Sequence, residues 1–406
     1  MLKLDLNKRY LLACSFGPDS MALFDMLLKG HYYFDVAHVN YHLRQESNEE
    51  QSQLERFCFE NKVKLFVLDN LDVPKKNIEA ECREIRYSFF KKLCDENGYN
   101  AVLVAHQQDD HIETYLLQKD RKNLVNYFGI KVKTTIKGIK VFRPLLGFTK
   151  TELLDHCNKN NVPYAIDITN LEAIYKRNKI RISVVSRMTA SERANILKEI
   201  DKKNEELDNL LAKVANTSNK VKDILSLNDI ELAYYLNSCT HEYCQDIGIT
   251  YKQSIEVRKI LESNKPNIII YCCKGKVILE KAYSRLIVRA NNGDEGYSFT
   301  VDKPQIIDNE YLYADLINDP NKRNIKENEY PLTIRSAHKG DKYKIKDYMV
   351  SVRRLFIDWK MPLYVRKVWP LIVNNEGTIV YIPRYQKDFV IESSPYFYVK
   401  ERFTLK

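Results

Sequence analysis

Two short stretches hold most of the residues in this sequence that can do chemistry. The first, Ser15-Phe16-Gly17-Pro18-Asp19-Ser20, follows an apolar run and precedes an amphipathic one. First-turn amides of a helix have no intrahelical carbonyl to bind, and the helix dipole favours an anion there, so a strand-loop-helix of this composition suits phosphate groups. Gly17 lets the backbone approach a phosphate closely, and the Ser15 and Ser20 hydroxyls add donors. Asp19 repels a bare phosphate and makes sense in holding Mg²⁺ or in orienting the loop. A capped turn between strand and helix accounts for the same residues without a ligand. The loop does not match G-x-x-x-x-G-K-[ST], which speaks against a kinase or GTPase of that type.

The second stretch, Ala105-His106-Gln107-Gln108-Asp109-Asp110-His111-Ile112-Glu113-Thr114, is the densest cluster of His and carboxylates in the chain. His106, Asp110 and Glu113 fall at i, i+4 and i+7, a spacing that places all three on one helical face. Such a trio can bind a metal, a cationic substrate or a developing positive charge. A helix start enriched in acids for its dipole is the plainer reading. A metal hydrolase built on His106, Asp109, Asp110 and His111 would leave the first loop unexplained.

Both stretches need a scaffold that presents strand ends. Short apolar runs at Tyr10–Cys14, Phe34–Val39, Val63–Leu68 and Ala101–Ala105 are separated by helical patterns over Met21–Lys29, Asn48–Asn61 and Ile78–Glu96. This rhythm predicts an α/β fold, a doubly wound parallel sheet with helices on both faces, whose ligands sit at the carboxyl ends of the strands. Phe142-Arg143-Pro144-Leu145 and a helical Thr149–Asn160 continue the pattern. A charged helical region and then three strand-like runs, Asn267–Tyr271, Lys276–Glu280 and Arg285–Arg289, lead to the turn Asn291-Asn292-Gly293-Asp294. The expected domains are therefore 1–205, a helical and mixed 206–295, and a small α+β 296–406.

The first loop resembles the PP-loop pyrophosphatase superfamily, whose signature is S-G-G-x-D-S and whose members cleave ATP between the α- and β-phosphates. Phe16 stands where that family has glycine, so its side chain must point away from the nucleotide. Together with the second stretch, the chain looks like the tRNA(Ile)-lysidine synthetase family, which carries A-H-H-x-D-D-x-x-E-T; here Gln107 replaces the second His. Matching stretches follow in the right order: His38-Val39-Asn40-Tyr41-His42-Leu43-Arg44, Glu81 through Arg86-Tyr87, Arg143-Pro144-Leu145-Leu146, and Asp167-Ile168-Thr169-Asn170 leading to Arg177-Asn178-x-Ile180-Arg181. Gly340-Asp341-Lys342, Arg353-Arg354-Leu355-Phe356 and Arg366-Lys367-Val368-Trp369-Pro370 resemble that family's last domain.

The resemblance implies an adenine-nucleotide-hydrolase-like N-terminal domain that uses ATP and Mg²⁺ to attach the ε-amine of free L-lysine to C2 of the wobble cytidine of CAU-anticodon tRNA(Ile). ATP first adenylates O2 of that cytidine, and pyrophosphate and then AMP leave. Carried over residue by residue, Ser15, Phe16, Gly17, Pro18, Asp19 and Ser20 hold the ATP phosphates, with Asp19 also at the Mg²⁺. Asp110 and Glu113 take the lysine ammonium, Asp110 as the base, while His106 and Arg86 flank the reacting atoms. On a helix, Arg86 can instead pair with Glu79 or Glu81 as an ordinary surface residue. For tRNA the candidates are Arg177 and Arg181 near the end of the first domain and Arg353, Arg354, Arg366 and Lys367 in the last. Residues 331–370 hold ten Lys/Arg against three Asp/Glu, interleaved with Tyr343, Tyr348, Phe356, Trp359 and Trp369. Basic residues with aromatics suit phosphate contacts and stacking, although many such aromatics serve as core.

Composition sets the outer bounds. Lys and Arg outnumber Asp and Glu by 64 to 54, a formal charge of +10 that favours a polyanionic partner. The nine cysteines include no C-x-x-C pair, which argues for reduced thiols and against a tRNA thiolase. Amide-forming relatives share the loop but have no use for a basic C-terminal domain, and a non-catalytic RNA-binding protein with a decayed nucleotide site remains the alternative of another class. The start MLKLDLNKRY lacks a signal-peptide core and no run approaches the roughly 20 apolar residues of a membrane span, so a cytoplasmic protein without a membrane partner is expected. A homodimer is left open.

Overall fold

A computed structural model of the chain describes residues 2–42, 46–70, 78–121, 124–165, 176–244, 248–293, 296–319, 325–385 and 396–400. The chain divides into two compact units, Met1–Asp208 and Asn209–Lys406. In the first, β1 (Arg9–Ala13), α1 (Pro18–Lys29), β2 (Tyr33–Asn40), α2 (Ser47–Glu60), β3 (Leu65–Asp69), α3 (Ile78–Asn97), β4 (Ala101–Val104) and α4 (Gln108–Arg121) alternate as expected. Then come β5 (Lys133–Ile136), β6 (Ile139–Phe142), α5 (Lys150–Lys159), α6 (Lys176–Ser183) and α7 (Ala190–Ala215).

The sheet runs β3-β2-β1-β4-β6-β5, parallel except for the antiparallel β5–β6 hairpin. Alternation along a strand sends neighbouring side chains to opposite faces. Tyr10 and Leu12 accordingly join the core under Met21, Phe24, Leu54 and Leu153 of α1, α2 and α5, while Leu11 meets Tyr87, Phe90 and Leu93 of α3 on the other face. Each such side chain, when fully buried, contributes roughly 1.5–3 kcal/mol. The order reverses between β1 and β4: from β1 the chain moves outward through β2 and β3, then returns to β4 on the other side. That is the topological switch point, and the loops after β1 and β4, which carry the two chemically dense stretches, open on the crevice beside it.

The second unit begins with α8 (Val221–Leu225), α9 (Asp229–His241) and α10 (Tyr251–Glu262), followed by the antiparallel meander β7 (Asn267–Cys272), β8 (Val277–Ala282) and β9 (Arg285–Ala290). The remainder is built from β10 (Ser298–Val301), β11 (Ile306–Asp308), β12 (Leu312–Asp315), β13 (Leu332–Ser336), β14 (Lys342–Ile345), β15 (Tyr348–Ser351), α11 (Val352–Asp358), α12 (Leu363–Val368), β16 (Pro370–Val373), β17 (Ile379–Tyr381) and β18 (Phe397–Val399). These strands form sheets in the orders β10-β13-β16-β17, β11-β12-β18 and β14-β15. Phe356 and Trp369 are buried, Trp369 with its Nε1–H donating to the Pro383 carbonyl at 2.7 Å, whereas Tyr348 is 61% exposed. Among the described residues no helix is long and apolar enough to cross a membrane.

Candidate active site

The loop after β1 is shaped by two buried supports. Gly17 is the extended N-cap of α1, with Pro18 in the first turn, where its missing N–H is no loss. Phe16 takes a left-handed φ of 61° and is wholly buried in the core cluster, so its ring points away from the crevice and only its backbone faces a ligand. Its carbonyl accepts the Ala165 N–H at 3.0 Å. From β2, His38 Nδ1 donates to the Cys14 carbonyl at 2.9 Å, and burial lowers the pKa of this imidazole. The two serines differ: Ser15 is exposed, while the Ser20 hydroxyl is buried and donates to the Gly17 carbonyl at 2.9 Å.

Asp19, in the first turn of α1, pairs with Lys150 Nζ at 2.8 Å. Burial raises the Asp19 pKa, against the pull of Lys150; Asp110 pushes it further up and Arg181 pulls it down, so these four charges share one neighbourhood. Lys150 opens α5, whose start is fixed by a capping box between Thr149 and Glu152. Among the described residues no group of three or more His, Cys, Asp or Glu could hold a metal by itself. Mg²⁺ takes most of its ligands from phosphate and water and asks the protein for one or two carboxylates, a demand that Asp19 fits.

The second stretch is split by the start of α4 at Gln108. His106 lies in the preceding loop, so the single helical face expected for His106, Asp110 and Glu113 carries only the two acids. Gln107 and Asp110 cap the helix reciprocally: Gln107 Oε1 accepts the Asp109 N–H at 2.7 Å, and Asp110 Oδ2 accepts the Gln107 N–H at 3.1 Å. The helix-start reading thus describes one oxygen of Asp110. Its other oxygen, Oδ1, accepts from Arg181 Nη2 at 3.0 Å, and Glu113, fully buried, accepts from Arg181 Nε at 2.6 Å and Nη2 at 2.9 Å. Arg181, from α6, was expected at the RNA; in the structure its guanidinium bridges the very carboxylates expected to receive lysine. A planar fork held by two acids is the strong, charge-assisted form of hydrogen bond. Asp109 is bound by Arg193 of α7, which also donates to the Val185 carbonyl at 2.8 Å. His111 Nδ1 accepts the Ile130 N–H at 2.8 Å, and burial lowers its pKa.

Arg86 is exposed on α3, its Nε 3.4 Å from the Cys82 carbonyl that also accepts the Tyr41 hydroxyl at 2.6 Å. The side chain of Arg177 lies outside the described residues, as do Leu43, Arg44 and the Asp167–Asn170 segment. Arg353, Arg354 and Lys367 are exposed on α11 and α12, with Arg354 Nε 3.1 Å from Asp358. Arg366 is half-buried, donating to the Met361 carbonyl at 2.8 Å and the Tyr283 hydroxyl at 3.0 Å. Lys150 and Arg193 carried no motif that marked them, and Arg143 was visible only as part of a matching stretch.

Known proteins bear on this arrangement. Residues 2–188 match the PP-loop domain family. The tRNA(Ile)-lysidine synthase of Mycoplasma mycoides subsp. mycoides is 31% identical over 405 aligned residues, covering 94% of this chain and 98% of that protein. The enzyme of the same name from Mesoplasma florum is 31% identical, covering 69% of this chain and 70% of its own length. That from Malacoplasma penetrans is 40% identical over 43% of this chain and 61% of its own. Similarity that runs nearly end to end with the first of these, together with the phosphate loop and the acidic pair at one switch point, places the chain in a family: it belongs to the tRNA(Ile)-lysidine synthases.

Proposed function

We propose that the chain ligates L-lysine to C2 of the wobble cytidine of CAU-anticodon tRNA(Ile), at the expense of ATP. The observation that carries this reading is the meeting, at one switch point, of a phosphate-type loop and two carboxylates already closed around a cation. The loop from Ser15 to Ser20 receives the ATP phosphates on the amides at the start of α1 and on the exposed Ser15 hydroxyl. Cytidine O2 attacks the α-phosphorus and pyrophosphate leaves. The lysine amine then attacks C2, the C2–O2 bond breaks, and AMP departs with that oxygen. Activation is needed because a ring carbonyl oxygen is a poor leaving group and AMP a good one. Asp19 would hold Mg²⁺, which would supply positive charge against the departing pyrophosphate.

In this reading the Asp110–Glu113 pair selects a cationic amine, and Asp110 accepts the proton that the attacking amine must lose. Arg181 holds the two carboxylates in a fixed arrangement, and an arriving ammonium takes over part of its hydrogen bonds. The cytidine must leave the anticodon stack to reach these atoms, which calls for a separate grip on the RNA. Arg353, Arg354 and Lys367, exposed in the second unit, suit phosphate contacts. The test is incubation with ATP, labelled lysine and isoleucine tRNA bearing either a CAU or a GAU anticodon. Label is expected on the CAU tRNA alone; no incorporation by demonstrably folded protein overturns the reading.

A further inference from the structure

His106 and Arg143 stand at the carboxyl ends of adjacent parallel strands, β4 and β6, in register at Leu103 and Phe142. Arg143 is 5% exposed and firmly seated: its Nη1–H donates to the Lys131 carbonyl at 2.8 Å and its backbone N–H to the Val132 carbonyl at 2.9 Å. Its Nε–H is aimed at His106 Nδ1, 3.0 Å away. A guanidinium has five N–H donors and no acceptor, and it does not lose its proton in proteins. Nδ1 must therefore present a lone pair. The proton of a neutral imidazole is then on Nε2, and a second proton on Nδ1 would both break this hydrogen bond and set one cation against another.

We infer that Arg143 is a positioning residue that locks His106 as a neutral imidazole protonated on Nε2, so that His106 serves lysine transfer as a hydrogen-bond donor and not as a base. The tautomer stands on geometry alone, whereas the catalytic use rests on the function proposed above. Arg83 and Tyr87 of α3 lie beside Arg143, while Asp110 and Glu113 of α4, the helix that follows His106 in the chain, are held by Arg181 of α6. The division of labour follows. Asp110 is left as the proton acceptor, and the Nε2–H suits an oxygen that gains negative charge as the C2–O2 bond breaks. No proton passes through His106; it stabilises the leaving oxygen by a hydrogen bond held in place before reaction.

Nitrogen NMR of the full ligand-free chain with ¹⁵N-labelled histidine tests the lock, with the His106 signals assigned by their loss in His106→Gln. At mildly acidic pH, where an ordinary imidazole takes a second proton, wild-type His106 is expected to keep an unprotonated Nδ1 and a protonated Nε2. In Arg143→Met it should become doubly protonated, and Arg143→Lys, which retains a cationic donor, should restore part of the wild-type pattern. In the lysidine assay Arg143→Met should lower kcat by about 10²-fold with the KM for lysine changed less than about 2-fold, and should add little to His106→Gln. A proton on Nδ1 in the wild type overturns the inference even if no Arg143 variant folds, and so does a folded Arg143→Met with an unchanged spectrum. Should the spectra agree while kcat is unaffected, the donor role falls. A wild type that makes no lysidine removes the reaction but leaves the tautomer result standing, so the two failures are distinguishable.

Discussion

Phe16 stands where the signature of the PP-loop superfamily has glycine, and its side chain is buried in the core. With φ at 61° it occupies a conformation that costs an L-residue roughly 1–2 kcal/mol, yet its ring is 0% exposed, and truncating such a ring costs roughly 3–5 kcal/mol. Burial wins, so the strain is tolerated and the crevice stays clear. Phe16→Gly should relieve the strain while losing the ring, and is expected to lower stability by about 2 kcal/mol, the difference of those two magnitudes. Phe16→Ala keeps a Cβ in the strained conformation and should be no more stable than Phe16→Gly, the reverse of the order seen where φ is negative. Urea denaturation of both variants checks this, alongside a KM for ATP that should change little. An alanine variant clearly more stable than the glycine one would mean that the left-handed geometry is not what the ring offsets. The same weighing applies to Arg181: its partner Glu113 is wholly buried, so the pair is worth less as a source of stability than as a fixed arrangement of charge.

Whole elements set the charges around the phosphate loop, and α5 does so most directly. Its capping box fixes where the helix starts and hence where Lys150 stands, 2.8 Å from Asp19. Burial raises the Asp19 pKa from 3.8 and Lys150 opposes the rise; Lys150→Met should therefore move it further up. A group whose folded pKa is raised lends stability that is full below its unfolded value and lost as the pH climbs through the folded value. The stability deficit of Lys150→Met relative to wild type should accordingly grow with rising pH, and the acid limb of ATP-dependent pyrophosphate release should shift to higher pH because ionised Asp19 appears later. A deficit independent of pH would separate Lys150 from Asp19. Elements of this kind were legible where periodicity and caps agree: β1 to β4 and α1 to α3 lie within a few residues of their expected places. The β5–β6 hairpin was not, because Lys137 and Gly138 make its turn with φ of 51° and 82°, and a lysine does not announce a left-handed turn as asparagine does. Nor could the sequence foretell that Arg181 meets Asp110 71 positions away, or Lys150 Asp19 across 131, since long-range pairs leave no local pattern. Arg181, placed with the RNA by its basic neighbours, shows that a run of cations does not reveal which member turns inward.

For the molecule as a whole, the excess of 64 basic over 54 acidic residues draws it toward RNA, but structure decides which charges can act. Arg353 and Arg354 are exposed, and the Arg354–Asp358 pair, with side chains 70% and 51% exposed, is too solvated to hold the arginine back from a phosphate. Arg366 has different work: its guanidinium braces the Met361 carbonyl and the Tyr283 hydroxyl, tying α12 to the end of β8. A cationic side chain that neutralises a phosphate releases counterions, so the slope of log affinity against log salt falls by about 0.9 for each phosphate left without its cation on a duplex and about 0.7 on a single strand. Replacing Arg353 and Arg354 together by alanine should thus weaken binding of tRNA(Ile) and flatten that slope by about 1–2, with the denaturation midpoint unchanged. Arg366→Ala should do the opposite, lowering the midpoint while leaving the slope near that of the wild type. Filter binding across a salt series, run beside denaturant titrations of the same preparations, separates the two. If Arg366→Ala flattened the slope as much as the double variant and kept full stability, its hydrogen bonds to Met361 and Tyr283 would have to give way when RNA arrives, and Arg366 would return to the RNA-contacting residues among which its sequence neighbours first placed it.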